Sequence, residues 1–238
     1  MKLVLATHNQ GKVRELTKML RSHQLSVVSC QSQEVCDSPD TSLTGNREPT
    51  TLTKNSSTDS FVKARVLGQN QYEVISLNAY PDAPEVIEDG KTYMENAAKK
   101  ASVIAKYTGH LALADDAGLE VDALNGVPGI NSKRWAGEDA TDAIRIAKLL
   151  QVLEGIPDRR ARFVAAIAVV HPDSVPKGVL GVCEGHITHA PKGESGFGYD
   201  PVFVPDGYEQ TFAELGEAIK NQISHRAKAL QQALALLY

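Results

Sequence analysis

The chain has 238 residues, 42% hydrophobic and 23% charged, with a formal net charge of −4, the composition of an ordinary folded domain. That charge, without any dense Lys/Arg block, excludes a broad duplex-binding surface, so phosphate recognition is expected to rest on a few lysines and backbone amides. Three cysteines without CxxC spacing exclude a disulfide framework or a cysteine metal site; no apolar run reaches the ~20 residues of a membrane span, and the start is too briefly apolar for a signal peptide, which suits a reducing cytoplasm.

Residues 2–7 predict a buried strand running into the polar loop Thr7-His8-Asn9-Gln10-Gly11-Lys12. Val13, Leu16, Met19 and Leu20 then recur at helical spacing. A hydroxyl, an amide, a glycine and a lysine where a strand turns into a helix make a cradle for phosphate. It is not a Walker A loop, because GxxxxGKS/T is absent, and a plain polar turn is the competing reading. Leu25 to Ser29 predict a further strand. From about 31 to 71, Ser, Thr, Asn and Gln dominate and apolar periodicity is lost until Phe61, so this stretch reads as a polar surface insertion, partly disordered.

Tyr72 to Leu77 predict a strand, and Thr92 to Tyr107 a helix opened by a capping box of Thr92 and Glu95. His110 to Ala114 predict a buried strand that delivers Asp115 and Asp116 onto the edge carrying the first loop, since ligands of α/β folds collect beyond the carboxyl ends of strands. Two ionised neighbours repel, and a divalent cation relieves that repulsion; magnesium takes one or two carboxylates plus phosphate oxygens. Glu88 offers a further carboxylate, and Lys100 reaches from its helix towards a phosphate. An Asx-type turn at Asp115-Asp116-Ala117-Gly118 and a solvated lysine are the plainer alternatives.

Thr141 to Leu153 predict a helix stopped by Gly155. Ala161 to Val170 and Val179 to Ile187 predict long neighbouring strands, so part of the sheet should be antiparallel. Strands alternating with helices indicate an α/β layered fold. In Gly196-Phe197-Gly198-Tyr199-Asp200, two glycines let the backbone approach a ligand closely. Phe197 between them can lie flat on a planar ring, and Asp200 offers an acceptor at the lip of a strand; a tight turn with Phe197 in the core is the alternative. The last helix places Ile219, Ile223, Ala227, Leu230, Leu234 and Leu237 on one face, with His225 and Arg226 flanking it as donors to a ring carbonyl and Lys220 on another azimuth.

Together these segments resemble the inosine triphosphate pyrophosphatase family, the house-cleaning nucleoside triphosphate pyrophosphatases. Residues 5–12, 88–93 with 95–97, 114–119, 126–129, 196–201 and 224–226 follow the family's order and span nearly all the chain outside 31–71. The resemblance implies a single domain over 1–238, a mixed twisted central sheet with two lobes and a deep cleft, and a homodimer. It implies magnesium-dependent hydrolysis of noncanonical purine nucleoside triphosphates (ITP, dITP, XTP) to the monophosphate and pyrophosphate. It assigns Thr7, His8, Asn9, Gln10, Gly11, Lys12 and Lys100 to the triphosphate, and Glu88, Asp116 and Asp115 to magnesium. It makes Asp116 the expected base that activates water. Ala117, Phe197, Gly198, Tyr199, Asp200, Lys220, His225 and Arg226 serve the nucleotide, with Phe197 stacking on the base. The family usually carries Ser at the position of Ala117, and the 31–71 insertion is no feature of the family pattern. A pyrophosphatase for pyrimidine or modified nucleotides is the rival enzyme. A non-catalytic nucleotide-binding module is the rival of another class, disfavoured by the complete acidic set.

Overall fold

The computed structural model describes residues 1–22 and 72–237. The strand expected at Leu25 to Ser29 and the insertion expected over 31–71 lie outside the described residues. Strand β1 (Lys2–Leu5) leads into helix α1 (Gln10–Ser22), and β2 (Glu73–Ser76) precedes α2 (Tyr93–Thr108) and β3 (Leu111–Val121). Helix α3 (Asp142–Val152), strands β4 (Arg160–Val170), β5 (Lys177–Ile187) and β6 (Phe203–Pro205), and helices α4 (Phe212–Ile223) and α5 (His225–Ala233) complete the order. The six strands form one sheet in the order β2-β1-β3-β4-β5-β6. β1 is parallel to β2 and β3, and the remaining pairs are antiparallel, so the sheet is mixed as expected.

Side chains alternate across the sheet and build a core on each face. Leu3, Leu5, Leu113 and Ile167 pack under α1 and α5, through Leu16, Leu20 and Leu230. Val4, Ala112, Ala114 and Ala166 pack under α2, through Ala97, Ala101 and Ile104. The far ends of β3 to β5 form a second lobe with α3, β6 and Phe212, centred on Leu119, Phe163, Leu149 and Phe203. Gly181 admits α5 to the sheet, because a Cβ there would meet the His225 carbonyl and the Ala229 amide.

Two elements differ from expectation. β3 does not stop at Ala114 but continues to Val121, pairing with β4 from Ala112 to Val121. Asp115-Asp116-Ala117-Gly118 is therefore strand, not turn; Gly118 permits it by leaving room for the Gly129 carbonyl and the Ser132 hydroxyl. The last helix is two helices. Ser224 sits in extended backbone and accepts from Ala227 N, capping a new start. The break turns Lys220, Ser224, His225 and Arg226 inward, all buried, while Ile219 and Ile223 are only half-buried.

Candidate active site

A cleft of about 530 Å³ opens between the lobes. One wall begins at the β1–α1 loop. Asn9 caps α1: its Oδ1 accepts from Gly11 N at 2.9 Å and Lys12 N at 3.2 Å, while Asn9 N donates to Thr7 Oγ1 at 3.2 Å. The cap curls the loop so that Thr7, His8, Asn9 and Lys12 line the cleft. Gln10 and Gly11 do not. Gln10 turns towards Asn78, and Gly11 lies behind the Phe197 ring, where a Cβ would come within about 3.0 Å of it.

β3 separates the two adjacent carboxylates, because successive strand residues face opposite sides of the sheet. Asp116 faces the cleft beside Glu88. Asp115, fully buried, faces the α1–α5 layer, where Arg226 Nε donates to it at 3.0 Å and Lys12 pairs with it at 3.2 Å. The two aspartates thus face opposite sides of β3 rather than one common edge, a correction to that expected placement. Among the described residues no three His, Cys, Asp or Glu side chains gather as a metal cluster. Burial would raise the Asp115 carboxyl, but Lys12, Arg226 and Lys100 outweigh it and hold the group well below the usual carboxylate range.

Lys100 bridges the remaining acids. Its Nζ donates to Glu88 Oε1 at 3.0 Å and to the Asp115 carbonyl at 2.7 Å, and lies 3.7 Å from Asp116 Oδ1. Two carboxylates already sharing one cation are a donor set of hard oxygens, which suits a divalent ion completed by substrate phosphate and water. Burial would raise Glu88, yet Lys100 prevails and lowers it. For Asp116 burial prevails, and its pKa is raised despite Lys100.

The cleft is also lined by donors from the two C-terminal helices. Lys220 Nζ pairs with Asp200 Oδ2 and with Glu15 Oε1, both at 2.6 Å. Arg226 spans Glu15 and Asp115. His225 stacks on Phe163 at 4.6 Å between centroids. Burial pushes the pKa of His225 well below its usual value, with Arg226 and Lys220 adding repulsion, so the imidazole is neutral. Phe197 is half-buried with Lys220 Nζ 4.4 Å from its ring centroid, so it has the packing partner that its glycine neighbours concealed. Asp200 closes the glycine turn by accepting from Phe197 N at 2.9 Å, and Gly198 N donates to Asp142 of α3 at 2.6 Å. Tyr199 donates to the Ser132 carbonyl at 3.0 Å, and burial pushes its pKa up to about 12. Ala117 lines the cleft next to Asp116 and donates its N–H to Asp116 Oδ1 at 3.1 Å.

The sequence reading missed Glu15, Arg134 and Asp142, and gave no role to Asn96 although it lies in the matched segment 95–97. Glu15 stands beside the apolar stripe of α1, and Asn96 precedes Lys100 by one turn, so helical spacing held a trace of both.

A model of the Ham1 family matches residues 3–236. A dITP/XTP pyrophosphatase from Desulforamulus reducens is 43% identical over 239 residues, covering 100% of this chain and 96% of that one. The solved Ham1 protein of Staphylococcus aureus is 33% identical with a TM-score of 0.72, and a HAM1 protein from Coxiella burnetii is 35% identical with a TM-score of 0.74. Each comparison covers 100% of this chain and 98% of the other.

Proposed function

The chain belongs to the Ham1 family, and on that premise we infer that it is a nucleoside triphosphate pyrophosphohydrolase acting on noncanonical purine nucleotides. The observation that carries this reading is one cleft lined both by a carboxylate pair, Glu88 and Asp116, and by the buried donors Lys220 and Arg226. Its size suits a nucleotide.

Glu88 and Asp116 would hold a magnesium ion, which when bound supplies charge neutralisation to the phosphate oxygens. Lys12 and the amides of the first loop orient the triphosphate, and Lys100 adds a positive charge once released from the acids. Asp116 accepts the proton of the water that attacks the α-phosphorus; the bond to the β-phosphoryl oxygen breaks, and pyrophosphate leaves. Positioning and charge stabilisation do most of the work in such a transfer. Phe197 offers a ring to the base. Lys220 and Arg226 cannot accept hydrogen bonds, so they favour a 6-oxo purine over the 6-amino group of adenine, whose own donors would be left unpaired.

Incubation with magnesium and a panel of ITP, dITP, XTP, ATP, UTP and dTTP tests this. Pyrophosphate should be released, with kcat/KM for ITP at least ~10²-fold above ATP. Release of orthophosphate, or UTP turned over as well as ITP, sinks the reading.

We also propose a homodimer of single-domain protomers working in the cytoplasm, in line with the family resemblance. Among the described residues no helix is long and apolar enough to cross a membrane. Leu180 and Val182 of β5 are exposed on one sheet face, a surface a second copy would cover. Light scattering should give twice the monomer mass; a monomer at micromolar concentration refutes the dimer.

A further inference from the structure

We propose that Asn96 is the positioning residue that sets Glu88 against Asp116 and so builds the two-carboxylate seat for a divalent cation. The inference rests on the reading above that these two acids hold the metal. Asn96 is 1% exposed and lies on α2 one turn before Lys100. Its Oδ1 accepts from Gly90 N at 2.8 Å, and its Nδ2 donates to Asp116 Oδ2 at 3.0 Å. One amide thereby ties the loop that carries Glu88 to the strand that carries Asp116. The partners also fix which way it points: an N–H requires the oxygen and a carboxylate requires the nitrogen.

The side-chain chemistry is restrictive. Aspartate would keep the Gly90 bond but set a second negative charge against Asp116. Leucine fills the space and makes neither bond, and alanine leaves both partners unpaired. The loop is shaped to the same approach, since a Cβ on Gly90 would stand 2.6 Å from Asn96 Oδ1, 2.8 Å from Glu95 Cβ and 3.1 Å from Asn96 N. Two further ties hold Glu88: Arg134 Nη2 donates to its carbonyl at 3.1 Å, and Lys100 Nζ to its carboxylate at 3.0 Å. The Lys100 tie is ionic and competes with any cation that enters between the acids. The Asn96 tie is neutral and uses Asp116 Oδ2, while Oδ1 is the oxygen nearest Lys100. It therefore persists when a cation replaces Lys100. Partners of this kind, one step behind a ligand, typically govern metal affinity and activity by 10–100-fold.

The test uses the full chain, Asn96→Ala and Gly90→Ala, with Mn²⁺ as the probe. Mn²⁺ binding is read by electron paramagnetic resonance without nucleotide, and kcat and KM are measured for ITP. Both variants should weaken Mn²⁺ binding at least ~10-fold and lower kcat at least ~10-fold, with KM for ITP within ~3-fold because the triphosphate loop and base pocket are untouched. In the Asn96→Ala background, Gly90→Ala should cost less than it does alone, since the nearest of the three atoms it strikes is gone while Glu95 Cβ and Asn96 N remain. Gly90 lies in a surface loop, so Gly90→Ala keeps the test decisive if Asn96→Ala fails to fold. Equal Mn²⁺ affinity in the wild type and the folded variants overturns the inference, whatever the turnover. Weaker Mn²⁺ binding in the variants, with no pyrophosphate released by the wild type from any nucleotide, supports the inference on the cation seat and overturns the functional reading instead.

Discussion

Asp116→Asn is expected to lower kcat by at least ~10²-fold, the lower range of a general-base contribution, while the protein folds and melts no lower than the wild type. Asparagine keeps the shape and one acceptor, so Asn96 Nδ2 can still donate to it, and Lys100 retains Glu88 and the Asp115 carbonyl. What is lost is the capacity to take a proton, the negative charge beside Lys100 and the acceptor of the Ala117 N–H. The stability sign follows from linkage. Burial, the largest influence, raises the folded-state pKa of Asp116, outweighing Lys100 and Lys12. A carboxyl raised in the folded state makes the native protein bind more protons than the unfolded chain, so this group costs stability as the pH rises from its unfolded value through the raised one. At neutral pH a neutral asparagine removes that cost, as is common where an active site is strained for function. Circular dichroism and a pyrophosphate-release assay check both halves. Near-normal turnover in a well-folded variant removes Asp116 from the chemistry.

The residues that gather in the cleft were legible because they lie in short, strongly patterned segments: a loop, a strand, a glycine turn and the C-terminal helices. Thr7, His8, Asn9 and Lys12, Glu88, residues 197–200 and Lys220, His225 and Arg226 all line the one cleft. The length of β3 was not legible. Asp115-Asp116-Ala117-Gly118 lacks both alternation and β-branched residues, and its strand state depends on the ten cross-strand pairs between β3 and β4, four of them its own. Nor was the division of labour between the aspartates, since a carboxylate pair reads as a unit until a strand sends its members to opposite faces. The C-terminal break was hidden for a related reason. Helical periodicity placed Ile219, Ile223 and Ala227 inward, but the partners that draw Lys220 and Arg226 inside are Glu15, Asp115 and Asp200, all distant in sequence. Buried charge is specified by its counter-charge, and a linear pattern does not contain that distance.

Glu15→Ala is expected to destabilise the protein by about 3–5 kcal/mol, the cost of removing one partner from a buried ion pair. Glu15 lies between two cations, Lys220 at 2.6 Å and Arg226 at 2.5 Å, all three nearly fully buried. The chain of pairs Asp200–Lys220–Glu15–Arg226–Asp115–Lys12 alternates in sign and is neutral as a whole. Deleting Glu15 leaves a net positive charge in the interior, and the neutral His225 beside it does not compensate. Burial would raise the Glu15 carboxyl, but Arg226 and Lys220 prevail and hold its pKa below the ordinary value. The stability it contributes is therefore present above the unfolded glutamate pKa and lost as the pH falls through the lower folded value. Glu15→Gln, which keeps the shape, should consequently differ most from the wild type near pH 7 and converge with it well below pH ~4. Urea unfolding midpoints at pH 7 and in that acidic range give the comparison. The nucleotide end should also loosen, because Lys220 and Arg226 lose the shared acid that aims them, so KM for ITP should rise in Glu15→Gln even where the protein remains folded. A Glu15→Ala protein as stable as the wild type would show that the alternating chain contributes no net stability and that the two cations are held by Asp200 and Asp115 alone.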